Sequence, residues 1–191
     1  MGTTYTACSE DINDLVKDVM KKHHADLFKE NVTIDAVGAR KDSKREGSVP
    51  ALMLRGQRVL AKIGITSLQD RARGIADAKL TIDMFSWDTM PQAKKVAVID
   101  HELTYLNLVM MRATKKEPWR KGPKHDDLNR PVLKLRHHDW ELTGFQEVVE
   151  RHGEASVEAS QFLAFKAEFG QLSLFDTTIT DGPGKKGGKK K

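Results

Sequence analysis

The sequence predicts a single domain that mixes helices with a small number of strands. Two periodicities carry that reading. Residues 32–37 and 80–85 alternate apolar and polar side chains, the pattern of a strand with one buried face. Residues 11–29 and 88–112 repeat apolar side chains at helical spacing instead. A chain of 191 residues is long enough to bury one substantial core, so a second domain is not required.

Residues 1–10 read as an N-terminal extension, and the domain is expected to cover 11–175. Ser9 or Asp11 can cap the first helix, whose face is built from Leu15, Val16, Val19, Met20 and Leu27. The strand at 32–37 follows, and then a polar stretch at 41–47 that reads as an exposed loop. Residues 51–54 and 58–66 read as two strands about Arg55-Gly56-Gln57, a predicted hairpin. A charged connection at 67–78 leads to the strand at 80–85. Asp88 or Thr89 can then cap a helix that carries Pro91 in its first turn and runs to about residue 112. After Val96 this helix is apolar on more than one face, which predicts a central, largely buried position. Residues 113–135 read as a long basic loop, a type of segment that is usually functional or disordered. Asp139 can cap a helix over 140–152, and a last helix over 154–169 stops at Gly170. The Gly- and Lys-rich segment at 176–191 is expected to be a disordered tail.

Composition narrows the function classes. Hydrophobic residues make up 39% and charged residues 31%, ordinary values for a soluble domain. No run is apolar enough to cross a bilayer, and the N-terminus lacks the basic-then-apolar order of a secretion signal. A cytoplasmic protein without membrane partners is therefore the expectation. Cys8 is the sole cysteine, which excludes an intramolecular disulfide and any multi-cysteine zinc site. The five lysines after residue 184 equal the whole net charge of +5. The rest therefore sums to zero, yet residues 112–136 hold nine basic side chains against three acidic ones. The body is acidic, with one basic segment and a basic tail.

The chemistry concentrates at His101-Glu102-Leu103-Thr104-Tyr105 on the predicted central helix. In the pattern H-E-x-x-H, two histidines four apart lie on one helix face and chelate a single zinc ion. The intervening glutamate can take a proton from water at that metal. Here tyrosine stands in the second histidine position. A phenol is longer than an imidazole and titrates near pH 10, so a metal ion has to displace its proton. A further ligand is also needed, and Arg136-His137-His138-Asp139-Trp140 offers two histidines. By contrast, His23 and His24 read as a solvated or lightly buried pair, and His125 and His152 as poor ligand candidates.

The strand at 80–85, Trp87, Ala97-Val98-Ile99-Asp100-His101-Glu102-Leu103-Thr104 and Arg130-Pro131-Val132-Leu133-Lys134-Leu135-Arg136-His137-His138-Asp139-Trp140 occur in an order that resembles the putative phage metallopeptidases. These are small zincin-like proteins related in outline to SprT-type peptidases. The resemblance extends from about residue 15 to 170. It implies an α+β minimal zincin, with a small, mainly antiparallel sheet beside the metal-site helix. It further implies zinc as cofactor, a peptide or protein substrate, and the cytoplasm of an infected host cell as location. Position by position, His101 matches the first ligand, Glu102 the general base and His138 the third ligand. Tyr105 departs from the pattern at the second ligand. Three outcomes are open: Tyr105 coordinates through oxygen, His137 substitutes, or the site has lost its metal. The alternative function is a catalytically impaired zincin-fold protein that binds or inhibits a host factor.

Lys115, Lys116, Trp119, Arg120, Lys121 and Lys124 interleave cations with one aromatic ring. With the lysine tail they suit weak binding to nucleic-acid phosphates, without base readout.

Overall fold

The computed structural model describes residues 2–43, 47–54, 56–112, 121–138, 144–161 and 163. The fold is α+β, and its main sheet is mainly antiparallel. The first strand, β1 (Thr4–Ala7), lies within the segment expected to be an extension. It pairs antiparallel with β2, Thr4 opposite Arg40 and Ala7 opposite Val37, so the chain start belongs to the sheet.

The predicted first helix is broken in two, α1 (Glu10–His23) and α2 (Ala25–Lys29). His24 leaves helical geometry at φ −127° and ψ 55°, and its side chain turns into the core. Next, β2 (Ile34–Ser43) runs further than expected into the stretch read as a loop, and β3 (Gly47–Val49) folds back on it. The predicted hairpin forms as β4 (Met53–Leu54) and β5 (Gln57–Arg58). It is followed by β6 (Ala61–Ile65), the short helix α3 (Leu68–Ala72) and β7 (Ala78–Asp83).

The strand order is β1-β2-β7-β6, with β3 attached to β2. β7 runs parallel to β2 and antiparallel to β6, so it is central. Its alternation suggested one buried face, but Leu80, Thr81, Ile82 and Asp83 are all buried. Asp83 is tolerated there because it accepts hydrogen bonds from the Ala51 N–H and the Ser86 hydroxyl.

After α4 (Met84–Trp87), α5 (Gln92–Thr104) crosses the molecule with every residue from Ala97 to Thr104 buried. It packs against α1 and β6 around a core that includes Val16, Val19, Leu80, Ile82, Ile99 and Leu103. The helix ends eight residues before the sequence suggested. Leu106-Asn107-Leu108 becomes strand β8 and pairs antiparallel with β9 (Leu133–Leu135), within the expected basic loop. A short apolar run suits helix or strand equally well, and here the distant pairing partner decides. Further on, α6 (Gln146–His152) occupies the second half of the helix expected at 140–152. A 3₁₀ turn at Gly153–Ala155 and helical residues 157–161 follow. No helix among the described residues is long and apolar enough to cross a membrane.

Candidate metal centre

The last turn of α5 carries His101 and Glu102, with Tyr105 directly after it as the C-cap. His138 reaches the same place from the other side of the β8–β9 ribbon. The Arg136 N–H donates to the Tyr105 carbonyl at 2.8 Å, and Leu106 stands opposite Leu135. This register carries the chain back along α5, so that the His138 Nε2 meets the Tyr105 hydroxyl. The rings of His101, Tyr105 and His138 lie with centroids 4.9–5.8 Å apart. Phe145, fully buried, walls the cluster with its ring 4.8–5.3 Å from all three. His137, one residue earlier, is exposed.

The electrostatics follow from burial. Glu102 is 7% exposed, and loss of water pushes its carboxyl up to about 7. The neighbouring His101 charge and the Ile63 backbone N–H on β6 restrain that rise. For His101, burial alone would lower the imidazole pKa. The hydrogen bond to Glu158, with the charges of Glu102, Glu158 and Asp100, raises it instead. Burial also raises the Tyr105 phenol, and the Glu102 and Glu158 charges add to the rise. Tyr105 is therefore a protonated hydrogen-bonding group until something displaces its proton.

Glu158 was not visible as a site residue in the sequence. The His101 Nδ1–H donates to its Oε1 at 2.7 Å, and the Phe145 N–H donates to the same oxygen at 3.1 Å. No local spacing links positions 101 and 158. Phe145 likewise gave no signal, being one apolar residue before a helix.

A second buried cluster lies one residue before the motif. Asp100 is fully buried and accepts from His24 Nε2 at 2.7 Å and His152 Nε2 at 2.7 Å. The Arg151 guanidinium donates to both of its oxygens, at 2.8 and 3.1 Å. Burial opposes the charge, yet these hydrogen bonds outweigh it and hold the carboxyl well below the usual carboxylate range. A charged residue in the apolar run Ala97-Val98-Ile99-Asp100 is a signal that a partner is needed, though the sequence does not say which. His23, Asp100 and His152 also lie close enough to share a cation, with candidate ligand atoms within 4.8 Å of one another. The Arg151 guanidinium already supplies positive charge to both Asp100 oxygens, so this cluster is a hydrogen-bonded hub.

Position, ring cluster and neighbouring carboxylates thus place His101, Glu102, Tyr105 and His138 together. The model of the family described as Putative phage metallopeptidase matches residues 4–167. The chain belongs to that family. No curated protein and no solved structure matches the chain. The match begins at β1, in keeping with the N-terminal segment being part of the domain. Membership in the metallopeptidase family suggests a metal cofactor and a peptide or protein substrate.

Of the polyanion candidates, Lys121 and Lys124 are exposed. Lys115, Lys116, Trp119, Arg120 and the lysine tail lie outside the described residues. His125, expected to be a weak candidate, pairs with Glu30 at 3.3 Å.

Proposed function

We propose that this chain is a zinc-dependent peptidase that hydrolyses peptide bonds with a metal-activated water. The observation that carries the reading is the convergence of His101, Tyr105 and His138 from two distant segments onto one point beside Glu102. Their donor set fits a zinc ion: two imidazole nitrogens and one phenolic oxygen, with His101 Nδ1 already engaged by Glu158 and Nε2 left for the metal. Zinc, when bound, supplies a Lewis acid that makes water nucleophilic near neutral pH.

The chain's own residues do the rest. His101 and His138 would hold the ion, with Tyr105 as a third, oxygen ligand once deprotonated. Glu102, with its carboxyl near 7, is matched to accept a proton from water at neutral pH and return it to the departing amine. Phe145 and the buried wall of α5 exclude bulk water from these transfers. The second reading, an impaired zincin-fold binding module, draws on one observation: the Tyr105 hydroxyl is bonded to the His138 nitrogen that the metal needs.

Zinc stoichiometry of the purified chain tests the first reading. About one equivalent is expected after zinc is supplied, and less than a tenth would sink the enzyme reading. Tyr105→His should tighten zinc binding by about tenfold or more, because imidazole binds without displacing a phenolic proton. Unchanged affinity would mean that this cleft is not a metal site.

A further inference from the structure

We infer that Glu158 is the positioning residue of the metal centre. It holds the His101 imidazole with Nδ1 protonated, so that Nε2 is the nitrogen presented toward Tyr105 and His138. The inference rests on the metal-site reading above, and it assigns a role to a residue far outside both site motifs.

Geometry carries it. Glu158 and His101 are both buried, 4% and 6% exposed, and their contact is 2.7 Å. In a neutral imidazole one nitrogen carries the proton and the other a lone pair, so an acceptor at Nδ1 dictates which nitrogen is free. The neighbouring Asp100 carboxylate is committed elsewhere, to His24, Arg151 and His152. Among the described residues, Glu158 supplies the carboxylate bonded to His101.

The same Glu158 oxygen also receives the Phe145 N–H. One carboxylate therefore fixes both the ring of a ligand and the aromatic wall against which all three site rings rest. Its other oxygen, Oε2, is buried without a hydrogen-bond partner among the described residues. A carboxylate that accepts the Nδ1–H of a metal-binding histidine raises the basicity of the other ring nitrogen, the ligand.

The test uses the full chain with ¹⁵N-labelled histidine, free of metal, at a pH where His101 is neutral. Wild type should show a protonated Nδ1 and a bare Nε2 at His101. Glu158→Ala should convert this to a mixture of the two tautomers. Glu158→Gln, whose amide oxygen can accept the same proton, should restore the wild-type pattern. In competition with a chromophoric chelator, zinc affinity should fall about 10–100-fold in Glu158→Ala and recover most of that in Glu158→Gln. A bare Nδ1 in wild type overturns the inference without any variant, which covers the case that Glu158→Ala does not fold. A tautomer unmoved by Glu158→Ala in a chain that still binds zinc overturns the role of Glu158 alone. Failure of wild type to bind zinc overturns the metal centre itself.

Discussion

Asp100→Asn should be among the most destabilising conservative changes in this chain. The side chain is 0% exposed and accepts from two imidazoles and both arms of Arg151, at 2.7–3.1 Å. Asparagine preserves the shape and one acceptor oxygen but removes the charge. Arg151, with its side chain 23% exposed, is then left partly buried against a neutral amide. Breaking a buried ion pair by removing one partner costs roughly 3–5 kcal/mol. The surviving amide oxygen and the partial exposure of Arg151 place the expected loss near the lower end, about 3 kcal/mol. For a domain of this size that lowers Tm by about 6–12 °C. Urea unfolding is the assay: the midpoint should fall with an unchanged m-value. Arg151→Met in the Asp100→Asn background should then cost less than it does in the wild type, because the carboxylate Arg151 neutralises is already gone. A loss below about 1 kcal/mol for Asp100→Asn, or strict additivity in the double variant, would refute the reasoning that the Asp100 charge holds this hub together.

Other consequences follow from the same burial. The Glu102 carboxyl is raised from 4.5 to about 7, so its proton is held more tightly in the folded chain than in the unfolded one. In metal-free protein this contribution is complete below about pH 4.5 and is lost as pH rises through about 7. Its size is about 3 kcal/mol at 1.36 kcal/mol per unit. The raised His101 imidazole acts in the same direction. Glu102→Gln should therefore flatten the decline of stability between pH 4.5 and 7, measured by urea titration at several pH values; an unchanged slope would count against a buried, protonated Glu102. Phe145→Ala removes a fully buried ring from the wall of the site and should cost about 3–5 kcal/mol. It should also weaken zinc binding through misplaced rings, and a stable variant with wild-type zinc affinity would show that the wall is dispensable.

How much of this was legible in the chain differs from element to element. The central strand is a local pattern and formed close to where the sequence placed it. The hairpin expected from 51–54 and 58–66 kept only the short β4–β5 pair, its second arm continuing as the separate strand β6 on β7. The helix expected at 88–112 starts later, at Gln92, with Pro91 itself in the capping position in place of Asp88 or Thr89. The reason is that Met84–Trp87 forms a separate short helix that Asp88 ends. Its end also differs, because Leu106-Asn107-Leu108 becomes a strand through pairing with residues 133–135. The continuous first helix was misread for a related reason. His24 breaks it so that its imidazole can reach Asp100, a contact across 76 positions.

By itself, the sequence determined that His101 and Glu102 sit side by side on a buried central helix. Helical geometry is short-range, and an apolar run with an early proline encodes it locally. Only the tertiary structure decided that His138 rather than His137 meets Tyr105, that Glu158 takes the His101 Nδ1–H, and that Asp100 faces a hub of His24, Arg151 and His152. Those pairings join residues tens of positions apart, and chain closure and strand register choose them. Residue spacing carries no record of either.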